Sequence, residues 1–474
     1  MRQEICRLSL GVLLGVFSCG WADERFTGPW DLPTLKSVPP VVWGASTGEV
    51  REVYYESVPY AGRPTRVFAY YACPTNTPAP VPGIALIHGA GKGANADWAS
   101  FWAGRGYAAL SMDLNGHGPS GRLPEGGPDA TERFVPFTAM DMDQTWTYHA
   151  VAAVVRGCSL LAAQPEVDSG RLGMHGLSLG GCVGAIAASI DDRARAAALV
   201  FGAGYVHEAS FLANAVQSLN CESRRLWIEN FDASRYLGGA QCPLLFVSGA
   251  TDSFFPPSTF CQSHARAPQS AQLSLRVYLT HGYIHAIPGA DVEVNRFMDH
   301  WLKGGASLPR LGPLTRGEDS RVSAAWTSQL AVTSAALNYT TNLGLWSARH
   351  WKTTTAEIGN GQVTALLPAE RPLSYFLTLT DEGGALASTP VMADWGEEQL
   401  PPLRITAAQP ASAARIDITG AKPWGHRVVL ENTEDRCHWS ALVTNTAPDT
   451  SFQFAVARPA SAAATLYRVR DLDW

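Results

Sequence analysis

Hydrophobic residues follow one pattern between positions 83 and 303. Short continuous apolar runs, typical of strands buried on both faces, alternate with segments of helical spacing. Strands that alternate with helices predict a doubly wound, mostly parallel α/β sheet. The predicted strands are 83–87, 104–113 with its leading turn, 167–175, 196–201, 243–249 and 275–279, and the predicted helices are 144–163, 181–189 and 292–303.

The flanking regions have other patterns. Residues 23–50 show no hydrophobic period and predict an irregular arm. After it, residues 51–58 predict an edge strand and residues 65–71 predict the neighbouring strand. Residues 202–241 have helical spacing, and an insertion at this position predicts a lid or substrate wall. From about residue 309 short alternating runs predict a β-sandwich over 309–398, and a second small β-rich domain over 399–474. The catalytic domain is therefore expected over 23–308.

The N-terminus predicts export. Residues 1–22 combine a basic start with an apolar run too short to span a bilayer, as in a secretory signal peptide. A lipoprotein signal ending before Cys19 is the alternative, so the product is periplasmic, extracellular or lipid-anchored. No other run is long enough to span a membrane, which predicts that the protein is not an integral membrane protein. A net charge of −6 argues against nucleic-acid partners and against a polybasic membrane patch.

Cysteine chemistry is expected to be structural. Cys221, Cys242 and Cys261 lie in one region, and export permits a disulfide between two of them. Zinc is not expected, because the chain has no pair of Cys-x-x-Cys motifs and no other zinc ligand set. No cofactor or metal is predicted.

One glycine-rich segment carries the candidate chemistry. Residues 176–180 read Gly-Leu-Ser-Leu-Gly, the pattern of a nucleophile elbow, between a predicted strand and a small, apolar predicted helix. A serine that attacks a carbonyl must project above the backbone on a tight turn, and its neighbours must be small. Ser178 is therefore the predicted nucleophile.

A serine hydroxyl needs a base, and the base needs a carboxylate to orient it. Asp252 lies in the loop after the strand 243–249 and is the predicted orienter. His281 follows the last predicted strand and is the predicted base, with His285 as the alternative. The two oxyanion donors are expected to be the backbone N–H groups of Leu179 and Ala90. His88 is expected to shape the loop that carries Ala90.

Residues 50–305 resemble the α/β-hydrolase superfamily, in particular its acetylxylan-esterase, dienelactone-hydrolase and prolyl-oligopeptidase-like branch. The resemblance rests on His88-Gly89, on Gly106-Tyr107 with Asp113, on 165–168 and 176–181, and on 243–256 with Asp252. It implies a serine hydrolase fold and triad but not a substrate, since this branch contains both esterases and peptidases. The C-terminal region resembles β-sandwich modules of secreted bacterial proteins.

Three functions follow from these observations. The first is a secreted serine esterase that forms an acyl-enzyme on a small acyl ester or an acetylated polysaccharide. The second is a prolyl-oligopeptidase-like peptidase. Such an enzyme needs acidic residues to bind the free amine of a peptide, and the predicted insertion 202–241 offers Glu208, Glu222 and Glu229. The third is a non-catalytic carbohydrate- or surface-binding protein on a hydrolase scaffold, which the intact Ser178 and Asp252 disfavour. The oligomeric state, the acyl group and the sugar stay open.

Overall fold

The computed structural model describes residues 26–75, 78, 80–394, 404–412, 415–421, 428–433, 440–445, 451–457 and 466–471. The predicted signal segment 1–22, and residues 437–439 of the second β-rich unit, lie outside this described part. Among the helices that the structure describes, none combines the length and the apolar character needed to cross a bilayer.

A nine-stranded sheet forms the first part of the chain. Its order is β1-β2-β3-β5-β4-β8-β9-β10-β11, and the six strands from β5 to β11 run parallel. β6 and β7 form a separate hairpin with two residues in each strand. The mostly parallel α/β sheet predicted from the apolar runs is confirmed. The strands are β1 Val41–Thr47, β2 Val50–Glu56, β3 Arg66–Ala72, β4 Val81–Ile87, β5 Ala108–Met112, β6 His117–Gly118, β7 Gly121–Arg122, β8 Val167–Leu177, β9 Ala194–Val200, β10 Leu244–Gly249 and β11 Gln272–Arg276.

Helices cover both faces of this sheet, so its apolar strands are buried on each side. α3 and α4 pack on one face and α2 and α9 on the other, each pair with its own hydrophobic core. Short helices fill the 202–241 excursion, as predicted. The helices are α1 Leu32–Leu35, α2 Ala96–Gly104, α3 Trp146–Ala162, α4 Leu179–Ile190, α5 Val206–Ala209, α6 Ala213–Ser218, α7 Cys221–Phe231, α8 Pro257–Arg266 and α9 Val292–Lys303.

Antiparallel sheets make up the rest of the described chain. Two sheets, β12-β14-β18-β17 with β13 and β16-β15-β19-β20 with β21, enclose one apolar core. Two three-stranded sheets follow, β22-β23-β26 and β25-β24-β27. The strands are β12 Arg310–Leu311, β13 Thr315–Arg316, β14 Arg321–Thr327, β15 Val332–Thr340, β16 Lys352–Thr355, β17 Glu357–Gly359, β18 Gln362–Leu366, β19 Leu373–Asp381, β20 Leu386–Ser388, β21 Met392–Asp394, β22 Arg404–Ser412, β23 Arg415–Ala421, β24 Val428–Thr433, β25 Ser440–Asn445, β26 Ser451–Ala457 and β27 Leu466–Asp471.

A buried ion pair and a hydrogen bond attach the first sandwich to helix α9. Glu293 of α9 pairs with Arg276 at 2.6 Å and also accepts a hydrogen bond from the Leu386 amide of the sandwich. Arg296, one turn further along α9, pairs with Asp381 at 2.7 Å. Removing one partner of a buried pair leaves an uncompensated charge, so these contacts hold the two units in one arrangement.

Three predictions are wrong in detail. The 23–50 arm contains α1 and β1, and β1 rather than the 51–58 segment forms the sheet edge. The last strand spans Gln272–Arg276 instead of 275–279, because residues 277–278 form a turn that leads to His281. No disulfide joins two of Cys221, Cys242 and Cys261: Cys221 is disulfide-bonded, but Cys242, two residues before β10, and Cys261, on α8, carry thiols.

Candidate active site

Ser178 occupies a strained turn between β8 and α4. Its backbone has φ 58° and ψ −124°, a conformation that non-glycine residues rarely adopt. The Ser178 amide donates to the Val200 carbonyl of the next strand at 2.7 Å, which anchors the turn to the sheet. Such a turn lifts the side chain above the carboxyl ends of the parallel strands, where a substrate can reach it.

Close backbone contacts explain the glycines around the turn. A Cβ on Gly180 would collide with the Ile87 carbonyl oxygen, and one on Gly176 would collide with the Gly180 carbonyl oxygen. Gly202, after β9, packs on the Ser178 carbonyl oxygen in the same way. Larger residues at these positions would push the turn away from its neighbouring strands, and the serine would lose its position.

The His281 ring bridges the other two residues of the predicted triad. Its Nε2 lies 2.9 Å from Ser178 Oγ, and its Nδ1 lies 2.8 Å from Asp252 Oδ2. The structure does not bring His285 into this chain of hydrogen bonds. The His285 ring stacks on Trp98 instead, with centroids 5.9 Å apart and planes 7° from parallel. Burial lowers the pKa of His285 below its ordinary value.

Asp252 is held by its own loop. Its Oδ1 accepts backbone hydrogen bonds from Phe254 at 2.7 Å and Phe255 at 3.0 Å, while Oδ2 faces His281. The carboxylate side chain has no exposed surface. A buried carboxylate that accepts three hydrogen bonds in fixed directions can orient an imidazole and favour the tautomer with a proton on Nδ1.

Two phenylalanines flank the His281 ring, and the sequence reasoning missed both. The Phe201 ring lies 4.8 Å from it and the Phe254 ring 4.6 Å, both tilted by less than 40°. Phe201 itself has φ +58° directly after β9, and no feature of the sequence predicts this. Phe254 could have been suggested by its place two residues after Asp252. Together they restrict the ring's rotation.

The predicted oxyanion donors lie on two adjoining segments. Leu179 is the first residue of α4, where backbone N–H groups have no partner from the preceding turn of the helix. Gly89 packs so closely that a Cβ there would lie 2.9 Å from Ser178 Cβ, which brings the Ala90 loop beside the serine. His88 holds that loop, since its Nδ1 contacts the Gly89 carbonyl and its Nε2 accepts from the Leu114 amide.

His88 is therefore neutral in this arrangement. The Leu114 amide must donate to Nε2, so the ring proton lies on Nδ1. Burial lowers the pKa of His88 despite the nearby Asp113 carboxylate. The side chain of Asn115 is a second anchor for the same loop. Its amide nitrogen donates to the Lys92 carbonyl at 2.9 Å, and its amide oxygen accepts from the Trp146 indole of α3.

The excursion contacts the loop of Asp252. The Phe211 amide donates to the Phe254 carbonyl at 2.8 Å, and the two rings lie 5.3 Å apart. Among the acids considered for a peptidase, Glu229 pairs with Arg225 of its own helix. Glu208 lies 3.8 Å from the His207 ring, and Glu222 lies on the surface of α7.

Comparison with known proteins finds a matching family model and several similar solved structures. Residues 33–205 match the acetyl xylan esterase (AXE1) family model. An acetyl xylan esterase from Paenibacillus sp. R4 is 18% identical, with 57% of this chain and 92% of that chain covered at a TM-score of 0.48. Acetyl xylan esterase 1 from Thermoanaerobacterium sp. JW/SL YS485 is 17% identical, with 58% and 95% covered at 0.43. The acylaminoacyl peptidase of Pyrococcus horikoshii is 18% identical, with 52% and 39% covered at 0.38.

The family match includes the elbow serine and ends before Asp252 and His281. The first part of this chain therefore has an α/β-hydrolase-like fold, and its residues 33–205 are similar to the acetyl xylan esterase (AXE1) family.

Proposed function

We propose that this protein is an exported serine esterase that removes acyl groups, acetyl in particular, from a carbohydrate. The observation that carries the proposal is the unbroken hydrogen-bond path from Ser178 Oγ through His281 to Asp252. The family match over residues 33–205 supports an ester as the substrate. The predicted signal segment and the appended β-sandwich units favour a substrate outside the cytoplasm.

Acylation begins when Ser178 Oγ attacks the ester carbonyl and its proton passes to His281 Nε2. The imidazolium that forms donates through Nδ1 to Asp252, whose position is held by two backbone amides. The negative charge that develops on the carbonyl oxygen is stabilised by the N–H groups of Leu179 and Ala90. His281 then gives the proton to the sugar oxygen as its bond to the acyl carbon breaks, so the sugar leaves with a hydroxyl group and an acyl-enzyme remains.

Deacylation repeats these steps with water. His281 takes a proton from a water molecule, which attacks the acyl-enzyme carbonyl, and Ser178 leaves with that proton. Each step needs only the imidazole, the carboxylate and two backbone donors, so the proposal includes no cofactor or metal.

Hydrolysis of p-nitrophenyl acetate tests the chemistry. The wild-type protein should turn over this ester and react with a fluorophosphonate probe, whereas Ser178→Ala should lose both properties. Ser189→Ala is the matched control, because this serine lies on the same helix and bonds only to Ala185 O. Absence of turnover by the wild type, or full activity in Ser178→Ala, would contradict the proposal.

Substrate class needs a separate comparison. Acetylated xylan should release acetate, while a library of short peptides should stay intact. Peptide cleavage with no acetate release would favour the peptidase. Fractionation of cells that express the full chain tests export, with the mature protein expected outside the cytoplasm and shorter by the signal segment.

A further inference from the structure

A cavity of about 480 Å³ lies between the hydrolase unit and the first sandwich, apart from the Ser178 turn. Helix α8 forms one wall with Pro257, Ser258 and Gln262, and Glu208 of the excursion adjoins it. The opposite wall comes from the sandwich, where Trp346 lies in the loop between β15 and β16. Its volume falls in the range of small-molecule sites, and nothing in the proposed mechanism uses it.

The polar side chains that line this cavity include both hydrogen-bond donors and hydrogen-bond acceptors. Glu208 contributes a carboxylate and Gln262 an amide, and the two side chains are hydrogen-bonded. Ser258 Oγ is buried and has no hydrogen-bond partner among the residues that the structure describes. Because Ser258 Oγ has almost no accessible surface, the polar contacts that a bound molecule can reach come from Glu208 and Gln262 instead.

The indole ring of Trp346 completes the lining of the cavity. The Arg349 guanidinium lies 3.5 Å from the centre of the Trp346 ring and donates to the carbonyls of Leu343 and Gly344. These contacts fix the loop that presents the indole. Because Arg349 is engaged with backbone carbonyls and Glu208 is acidic, the lining does not favour an anion. A neutral ligand with hydroxyl groups and an apolar face fits an indole beside mixed donors and acceptors.

The cavity lies close to the triad along two segments. Phe254 contacts the His281 ring, and Pro257, three residues later, lines the cavity. Phe211 contacts Phe254, and Glu208, three residues earlier, also lines the cavity. Three residues span at most about 11 Å, so each segment brings the cavity lining within that backbone distance of a ring that packs at the triad.

We propose that this cavity is a saccharide-binding subsite, in which the face of Trp346 opposite Arg349 stacks on a sugar ring while the acyl ester lies at Ser178. The proposal rests on the proposed esterase function and names the part of the substrate that the sandwich recognises. It also gives the first β-sandwich a role in substrate binding, since without this unit the cavity has only one wall.

Kinetics with two substrates test the subsite. Trp346→Ala should raise KM for acetylated xylo-oligosaccharides by about tenfold, the loss expected for one well-packed aromatic contact, and leave KM for p-nitrophenyl acetate unchanged. Trp301→Ala is the matched control, because Trp301 is also partly exposed but lies on α9 outside this cavity. A wild-type KM for the oligosaccharides in Trp346→Ala, or an equal rise for both substrates, would overturn the proposal.

Direct binding separates the subsite from the chemistry. In the Ser178→Ala background, calorimetry with unacetylated xylohexaose should detect binding that Trp346→Ala weakens and Trp301→Ala does not. Gln262→Ala is a second variant with a smaller structural change, and it should weaken the same binding. Absence of xylohexaose binding in the Ser178→Ala protein would overturn the subsite even if the wild type hydrolyses p-nitrophenyl acetate. Binding without hydrolysis by the wild type would instead contradict the esterase.

Discussion

Two clusters of aromatic rings in the α/β-hydrolase domain contain histidines, and they differ in what the imidazole nitrogens contact. In the triad cluster, His281 lies against Phe201 and Phe254 with a carboxylate at one nitrogen and a hydroxyl at the other. In the buried cluster, His175 and His285 lie against Trp98.

The buried cluster suppresses charge on its histidines. Neither nitrogen of His175 has a hydrogen-bond partner in the described part of the chain, and burial lowers its pKa to about 3. The nearby His285 acts in the same direction. The two clusters therefore differ in their contacts and not in residue type: a carboxylate and a hydroxyl lie at the ring nitrogens of His281, whereas His175 has no such partners among the described residues.

The largest expected effect is the difference in activity between variants of His281 and variants of His285. His281→Ala should reduce kcat on p-nitrophenyl acetate by a factor on the order of 10⁶, because both proton transfers lose their base. His285→Ala should stay close to the wild-type rate, since its ring stacks on Trp98 and bridges nothing in the triad. Steady-state kinetics on both purified variants give the comparison, and equal losses would remove the distinction between the clusters.

Asp252→Asn should reduce kcat by a factor on the order of 10⁴. The amide can keep the shape of the loop but cannot stabilise the imidazolium, and it can present an N–H where His281 needs an acceptor. Titration with a fluorophosphonate would show whether the serine still reacts slowly. A rate within a few-fold of wild type would mean that the carboxylate is not what distinguishes the triad cluster.

Part of the protein's loss of folding stability at acidic pH is expected to come from His175 in the buried cluster. His175 has a folded-state pKa of about 3, far below its unfolded value, so its contribution to stability is present above about pH 6.5 and is lost as pH falls toward 3. Between pH 7 and pH 5 this loss is about 2 kcal/mol. Urea unfolding at both values should show a smaller difference for His175→Leu than for wild type. His350→Gln, at an exposed position, should behave as wild type.

The smallest expected effect concerns the rings around His281. Phe254→Leu should reduce kcat by about fivefold, because one aromatic contact on the imidazole is lost while the hydrogen bonds remain. The melting temperature should change little, since Phe254 is 44% exposed. A loss as large as that of Asp252→Asn would show that aromatic packing contributes as much as the carboxylate.

Much of the hydrolase part could be predicted because its signals are local. Continuous apolar runs identify β4 and β9, and the Gly-Leu-Ser-Leu-Gly segment identifies the turn at Ser178 from the backbone crowding that its glycines relieve. The prediction of the last strand missed the point where β11 ends, because apolar residues continue past Arg276 into the turn. The cysteine prediction failed because closeness in sequence does not measure the distance between thiols.

The sequence by itself determined the parallel sheet, the elbow and a short set of candidate bases and acids, since hydrophobic period and turn chemistry depend on neighbouring residues. Tertiary structure alone decided which histidine meets Ser178 and Asp252, and which rings surround it. It also created the cavity between α8 and Trp346, whose walls lie more than eighty residues apart in the chain. Contacts of that separation depend on how whole units pack, and no local pattern encodes them.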